Sequence, residues 1–272
     1  MKSFKIIFIL SLSLLLLACT EKVDLHIEDA NQNLLVVDGM ITSDTTAHRV
    51  ILSRTGNFYT DTITPRVSGA EVLISDDAGN TFALTENAAG IYVTDPGVYG
   101  VVGRTYTLSI YLDDRYYTAQ STMKRKVPID SLGYRWDPFK QSYRILLYGQ
   151  EPGGKGDFYM WHLYKNGRWM TNTIVKTMIA SDEFIDGNYI GGFEVDWWAQ
   201  DFDFQTDDVV TVAQHTINRQ AYEFFMAIRQ ESTAGGGMPL NPPANVAGNI
   251  SNGALGLFHA SALTRKEIVI GQ

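Results

Sequence analysis

The sequence predicts a mainly β protein with two antiparallel β-sandwich domains, the second of which carries one short helix. Three observations support this fold class. The chain is rich in residues typical of strands and turns, with 14 Tyr, 13 Phe and 24 Gly among 272 residues. Short strand-like runs alternate with turn residues about every 8–12 positions, the spacing of a sandwich. A helical period of useful length appears only once, near residue 218.

The amino terminus predicts export and lipid attachment. The apolar run Ile6–Leu17 follows two lysines and is typical of a secretory signal. It is too short to cross a bilayer as a helix, which needs about 20 residues. The run ends in Leu16–Cys19, which resembles a bacterial lipobox. We therefore expect residues 1–18 to be a signal peptide and Cys19, the only cysteine, to be acylated; the alternative is an ordinary signal peptide cleaved nearby.

Composition shifts divide the mature chain into a tether and two domains. Residues 19–33 are polar and acidic, which predicts a lipidated tether and resembles an export signal for the outer cell face. Residues 34–126 form the predicted amino-terminal sandwich, and residues 127–272 form the predicted mainly β second domain. Lys124–Lys126 and Pro128 mark the boundary, because adjacent cations resist burial and proline interrupts strand pairing. This basic run is interpreted as a solvated linker or, alternatively, as a basic patch.

Two short motifs give the strongest predictions of local structure. Asn166-Gly167 predicts a tight hairpin, and Asn218–Glu231 predicts a helix whose cap is Asn218. A Gly-containing loop at residues 76–80 also suits a hairpin. The predicted strands are residues 34–37, 49–53, 71–75, 81–84, 90–93, 106–112, 116–122, 143–148, 158–165, 168–173, 209–214, 254–260 and 267–270.

The sequence predicts no catalytic residue, no cofactor and no metal centre. The nucleophile-elbow pattern G-x-S-x-G and the zinc pattern H-E-x-x-H are both absent. The histidines are scattered and are interpreted as structural or exposed; they are His26, His48, His162, His215 and His259. A net charge of −8 argues against general nucleic-acid binding, since phosphate backbones repel an acidic surface.

Two features of the second domain suggest binding. The acidic segment 194–208 could supply oxygen ligands to Ca²⁺, although it lacks the D-x-D-x-D-G pattern; acids at exposed strand edges are the other interpretation. Trp197 and Trp198 could contact a ligand or partner, because large aromatic rings serve as sugar platforms and interface anchors. In a strand, one of these rings would face outward. Core packing is the alternative for both.

Several motifs in order resemble one family, the domain of unknown function 4249, over nearly the whole mature chain. The motifs are Cys19, Leu35–Ile41 (LVVDGMI), Gly69–Val72 (GAEV), Ser75–Asn80 (SDDAGN), Gly90–Tyr92 (GIY), Gly103–Leu108 (GRTYTL), Pro128–Leu132 (PIDSL), Asp186-Gly187, Ala221–Phe225 (AYEFF) and Gly248–Phe258 (GNISNGALGLF). The expected sandwiches are of the immunoglobulin/transthyretin-like kind, and the first domain also resembles transthyretin-like or carboxypeptidase-regulatory sandwiches, which are usually not catalytic. No catalytic residues are defined for the family.

The resemblance also implies a location and a partner. Members are lipoproteins typically encoded beside a TonB-dependent outer-membrane receptor. We therefore expect a lipid-anchored protein of the outer membrane, exposed at the cell surface, that is not an enzyme and assists a TonB-dependent receptor in nutrient or ligand uptake. The alternative is a cell-surface module that binds carbohydrate or peptide on its own.

Overall fold

The computed structural model describes residues 33–56, 64–199, 202–233 and 246–271. The strands in these ranges are β1 (Leu35–Thr42), β2 (Arg49–Arg54), β3 (Glu71–Asp76), β4 (Thr81–Ala88), β5 (Ile91–Val93), β6 (Thr105–Leu112), β7 (Arg115–Thr122), β8 (Ser131–Asp137), β9 (Ser142–Gln150), β10 (Phe158–Lys165), β11 (Arg168–Trp169), β12 (Met178–Ser181), β13 (Tyr189–Glu194), β14 (Val209–Ile217) and β15 (Leu255–Val269). One α-helix, α1 (Arg219–Thr233), and one 3-10 helix (Ile174–Lys176) accompany them.

The strands form two sheets. Twelve strands make one mixed sheet in the order β11-β10-β14-β15-β1-β2-β5-β4-β3-β6-β7, with β12 also paired to β10. The strands β13, β9 and β8 form a separate three-stranded sheet. The mainly β prediction is confirmed, and every pairing between named strands is antiparallel except that of β1 with β15.

Local turn and cap signals are confirmed. Asn166 and Gly167 both adopt positive φ, 51° and 78°, and connect β10 to β11 as a tight hairpin. Asn218 caps helix α1, because its Oδ1 accepts a hydrogen bond from the backbone N–H of Ala221 at 2.8 Å. The sequence did not predict β8, β12 or β13, and it divided the continuous strand β15 into two.

Strand β15 connects the two halves of the chain. Leu255–Ser261 runs parallel to β1, whereas Ala262–Val269 runs antiparallel to β14. The expectation of purely antiparallel sheets is therefore wrong at β1 and β15. Parallel strands cannot be joined by a hairpin, so no turn motif in the sequence indicates that these distant segments pair. The large sheet continues across the boundary predicted after residue 126. Residues 33–272 group as one compact unit, and the two-domain division stays a prediction.

Three apolar clusters make up the core. The first lies among β1–β7 and the beginning of β15, and its most buried large side chains include Tyr92, Tyr106 and Phe258. The second contains side chains from the three-stranded sheet and from one face of β10 and β14. The third lies on the opposite face of β10, where Phe158 and Met160 pack with Phe224 of helix α1. Alternation along β10 and β14 thus sends side chains to two different interiors.

The basic segment Lys124–Lys126 is not solvated throughout. The Nε of Arg125 donates to Oδ2 of the buried Asp157 at 2.8 Å. Its terminal nitrogens donate to three carbonyls of the loop Pro152–Gly154. A guanidinium can satisfy several acceptors in one plane, so this cation fastens the segment to the loop.

Residues 1–32 contain the predicted signal peptide, Cys19 and most of the tether, and they lie outside the described residues. Within the described ranges, no helix has both the length and the apolar character needed to cross a membrane.

Candidate ligand pocket

Three histidines from distant parts of the sequence meet on one face of the large sheet. His162 lies on β10, His215 on β14 and His259 on β15. The rings of His162 and His215 are 4.7 Å apart between centroids. The Nδ1 of His215 lies 3.0 Å from Oγ of Ser261, the residue two positions after His259 on the same face of β15. The sheet order β10-β14-β15 creates this cluster from residues that looked isolated in the sequence.

A pocket of about 420 Å³ lies over this face, between the sheet and helix α1. This volume is in the range of ordinary small-molecule sites. His162 and His259 both line it. The apolar and aromatic lining includes Met40, Met160, Trp169, Ile174, Phe224, Phe225, Ile228 and Leu257. The pocket therefore combines an apolar wall with two imidazoles and with the polar side chains Asp38, Arg49, Thr171, Asn172, Thr173 and Thr177.

Burial disfavours the charged form of the two histidines that line the pocket and of their neighbour His215. Burial lowers the pKa of His162 and of His259 to about 4. Burial also holds the pKa of His215 well below its ordinary value, and the nearby charges that His162 and His259 would carry lower it further. Removing an imidazolium from water is unfavourable, so the neutral form is retained.

The charged residues that line the pocket are Asp38 and Arg49, which are both exposed. The protein around the Asp38 carboxyl desolvates it and so raises its pKa, although the residue is exposed at the surface. The charges of Arg49 and Arg66 oppose that shift. A carboxylate and a guanidinium thus lie beside an uncharged interior. A ligand with an apolar body and a polar end suits this distribution.

Helix α1 and the 3-10 helix cover the pocket and are fastened to each other by Arg229. Its NH1 donates to the carbonyls of Ile174 and Val175, at 3.1 and 2.7 Å. The guanidinium also lies 3.5 Å from the centroid of the Trp198 ring. This cation–π contact makes the half-buried Trp198 a support for the helix.

The two candidate tryptophans differ in their surroundings. They lie in a turn after β13 rather than in the expected strand. The side chain of Trp197 is 60% exposed, whereas Trp198 packs beneath Arg229 and beside the third apolar cluster. Neither residue lines the pocket. Their predicted role in ligand or partner contact stays a prediction, and Trp197 is the one with an accessible ring.

The acidic segment is held largely by protein cations. The buried Asp196 accepts from Arg144 at 3.2 Å and from the backbone N–H of Ile145 at 3.2 Å. Burial raises the pKa of Asp196 to about 6, although Arg144 opposes the shift. Arg135 bonds Glu194 at 3.0 Å, and Lys165 pairs with Asp208 at 2.8 Å. These ion pairs give Glu194, Asp196 and Asp208 a structural role.

A separate carboxylate group has the spacing that a metal ion would need. The buried side chains Glu151, Asp157 and Asp182 each place one oxygen within 4.8 Å of the others. The guanidinium of Arg125 already pairs with Asp157, and the Tyr159 hydroxyl donates to Glu151 at 2.7 Å. Two backbone N–H groups, of Gly156 and Asp157, donate to Asp182. The group is thus internally bonded around a protein cation.

A second, polar pocket lies at the amino-terminal end of helix α1. Lys124, Lys155 and Arg219 line it together with Asn218 and Gln220. This is where the basic run of the sequence contributes to a concave surface. The cations make this pocket electrostatically opposite to the acidic molecule as a whole.

The sequence analysis did not predict the histidine pocket, because its histidines have no short-range spacing that would indicate a shared site. The pairing Met160↔His215 puts His215 beside β10, and only the register of β14 on β10 shows this. One available signal was the alternation in β10, which separates Met160, His162 and Tyr164 from Tyr159, Trp161 and Leu163.

Comparisons with known proteins give a family but no activity. A search of curated proteins finds no relative. Among solved structures, a two-fibronectin type-III domain segment from chicken tenascin is matched with a TM-score of 0.22 and 10% identity, over 68% of this chain and 90% of that one. The family described as domain of unknown function (DUF4249) matches residues 20–267. The chain therefore belongs to the DUF4249 family.

Proposed function

We propose that this protein is a ligand-binding lipoprotein of the outer membrane, without catalytic activity, that assists a TonB-dependent receptor in ligand uptake. The observation that carries the binding part is the pocket of about 420 Å³ between the sheet and helix α1. The anchoring part depends on Cys19 and the lipobox-like residues before it.

The lining defines the class of ligand that this pocket suits. Trp169, Phe225 and Leu257 offer apolar surface, while His162 and His259 offer uncharged imidazoles. A charged ligand would lose its hydration inside without gaining an opposite charge there, which is unfavourable. The proposed ligand is therefore a small molecule with an apolar body, and its polar end lies near Asp38 and Arg49.

Binding to the pocket can be tested with N-phenyl-1-naphthylamine, an uncharged apolar fluorophore. The protein from residue 20 onward contains every described residue and can be assayed without detergent. We expect saturable fluorescence enhancement. Trp169→Ala and Phe225→Ala should weaken the affinity about tenfold or more, because each removes a large part of the apolar wall.

The matched control is Phe184→Ala, which removes an aromatic ring that is 89% exposed and outside the pocket. It should bind the fluorophore like the wild type. Absence of saturable binding, or equal loss in all three variants, would contradict a ligand site in this pocket. Circular dichroism of each variant shows whether the fold is intact.

The membrane part needs a separate experiment with the full chain in its native cells. We expect the wild type in the outer-membrane fraction together with a TonB-dependent barrel, and we expect Cys19→Ala to leave that fraction.

Trp197→Ala should reduce recovery of the TonB-dependent barrel with the lipoprotein, since its ring is the accessible one of the tryptophan pair. The control is Phe139→Ala, which removes a ring that is 95% exposed. Recovery of the lipoprotein without a barrel would favour the stand-alone binding module.

A further inference from the structure

We propose that the polar pocket at the beginning of helix α1 binds a phosphate monoester through Lys124, Lys155 and Arg219. This pocket shares no lining residue with the histidine pocket, so the inference is independent of the proposed function. The recognised group is the same in a small soluble ester and in the head group of a lipid. The support comes from the three cations, from the contacts that position them and from the lack of compensating charge around them.

The three cations come from separate segments of the chain. Lys124 follows β7, Lys155 belongs to the loop between β9 and β10, and Arg219 is the first residue of helix α1. All three line a concave space of about 420 Å³, and the other residues that line it are uncharged. Three positive charges therefore converge on one place in a chain whose formal net charge is −8.

The loop that carries Lys155 is fixed on both sides of this residue. On one side, Arg125 donates to the carbonyl of Gly154 at 3.2 Å. On the other side, the backbone N–H of Gly156 donates to Oδ2 of the buried Asp182 at 2.8 Å. Both glycines adopt positive φ, 106° and 116°, which residues with a Cβ rarely do. These contacts and glycines hold the backbone of Lys155 at the pocket.

Lys124 and Arg219 are positioned by their direct neighbours in the chain. Arg125 fastens the segment of Lys124 to the same loop, through three loop carbonyls. Asn218 attaches the beginning of helix α1 to β7, because its Nδ2 donates to Oγ of Ser121 at 3.0 Å. Two segments that are distant from the helix in sequence are thus held next to its first residue.

The positive charges of the pocket are poorly compensated within the protein. Neither Lys124 nor Lys155 forms an ion pair with another residue of the described ranges. Arg219 approaches Glu223 at 3.8 Å, but both side chains are well exposed, and such pairs contribute little. The first turn of helix α1 contains no acid, although acids are favoured there. An anion in the pocket would supply the missing negative charge.

A phosphate monoester suits these cations better than a carboxylate does. At pH 7 it carries about −1.5 to −2 charges on three acceptor oxygens, whereas a carboxylate carries one charge on two oxygens. Two ammonium groups can bind it as point charges while the guanidinium donates two parallel N–H bonds. The volume of about 420 Å³ leaves room for an organic part beside the phosphate.

Binding of a soluble ester can be measured by isothermal titration calorimetry with glycerol 3-phosphate, on the protein from residue 20 onward. The comparison ligand is glycerate, a carboxylate of similar size. At low ionic strength we expect saturable binding of glycerol 3-phosphate, with a dissociation constant at least about tenfold below that of glycerate. Added salt should weaken the binding, because it screens exposed charges.

Variants separate this pocket from the general effect of charge. Lys124→Gln and Lys155→Gln should each weaken binding about fivefold or more, because each removes one of the charges that line the pocket. The matched control is Lys126→Gln, which removes an exposed lysine of the same basic run that does not line the pocket. Each single variant changes the net charge by the same amount. Circular dichroism shows whether the variants fold, and fluorophore binding in the histidine pocket should be unchanged in all of them.

Vesicles distinguish a lipid head group from a soluble ester. Phosphatidylcholine vesicles that contain phosphatidic acid display a phosphate monoester, whereas those that contain phosphatidylglycerol display a singly charged diester. Saturable binding of glycerol 3-phosphate supports a soluble ester. Cosedimentation with the phosphatidic acid vesicles alone, lost in Lys155→Gln and kept in Lys126→Gln, supports a lipid head group. Binding to neither probe, equal affinity for glycerate and glycerol 3-phosphate without preference for phosphatidic acid, or an equal loss in Lys126→Gln would overturn the site.

Discussion

Burial lowers the pKa values of His162, His215 and His259 and so disfavours the charged forms of these basic side chains. The same burial acts in the opposite direction on acids. It raises the pKa of Asp196 to about 6 and raises the pKa of Glu151 above its ordinary value. At the scale of single residues, burial therefore favours the uncharged form of both the histidines and the acids. Acidification then lowers the free energy of unfolding through the histidines and raises it through the two carboxyl groups.

The histidines should make stability fall on acidification. Between about pH 6.5 and pH 4, the unfolded chain binds protons at His162 and His259 that the folded chain does not bind, so the free energy of unfolding decreases as pH falls. From pH 7 to pH 5 we expect a loss on the order of 2 kcal/mol for each of these two residues. Urea denaturation at both pH values measures it.

The raised pKa values of Asp196 and Glu151 act against this trend, since the folded chain binds their protons more readily. The informative quantity is therefore the slope of the free energy of unfolding against pH, compared between the wild type and the variant that combines His162→Gln with His259→Gln. The double variant should lose most of the histidine-dependent slope, whereas Phe225→Leu, which alters the same pocket without a titratable group, should keep it. An unchanged slope in the double variant would contradict buried neutral imidazoles.

Helix α1 is the element on which the pocket depends, and its first turn is specified locally. Asn218 caps the helix through Oδ1, and its Nδ2 donates to Oγ of Ser121 on β7 at 3.0 Å. One side chain thus both begins the helix and attaches it to the sheet. Phe224 and Phe225, in the second turn, then face the pocket.

Asn218→Ala should destabilise the protein by about 1–2 kcal/mol, because it removes the cap and the bond to Ser121. It should also weaken fluorophore binding, since the helix forms a wall of the pocket. Gln230→Ala, at an exposed position near the other end of the helix, is the control and should change the free energy of unfolding by less than about 0.5 kcal/mol. Equal effects of the two substitutions would show that the cap does not hold the helix.

At the scale of the whole molecule, the parallel pairing of β15 with β1 makes one sheet from distant segments. Gly256 permits it: its φ is +98°, and a Cβ there would lie 1.9 Å from the carbonyl oxygen of Val37. A side chain at this position would therefore collide with the backbone of β1. His259, which follows on the same strand, owes its place in the pocket to this pairing.

Gly256→Ala should destabilise the protein by about 3 kcal/mol or more, because β15 must move away from β1. Gly253→Ala is the matched control: its φ is +74°, but nothing lies within 4 Å of the added Cβ, so only the backbone preference is lost, about 1 kcal/mol. Urea denaturation compares the two, and fluorophore binding provides a second readout when both variants fold. Equal costs would contradict the close approach of the two strands.

The sequence by itself determined the local elements of this protein. Asn166-Gly167 specified its hairpin and Asn218 its helix, because positive φ values and capping bonds involve only a few neighbouring residues. Alternation of apolar residues indicated most strands for the same reason. It could not show which strands pair, so the parallel contact of β1 with β15 and the continuity of the large sheet were not predicted.

The tertiary structure alone decided the candidate site. The spacing of His162, His215 and His259 along the chain does not indicate a shared site. The three side chains meet because their strands adopt the order β10-β14-β15. Burial in that arrangement then lowered their pKa values. Sheet order and register come from the packing of whole faces against each other, and that information is spread over many residues instead of residing in one motif.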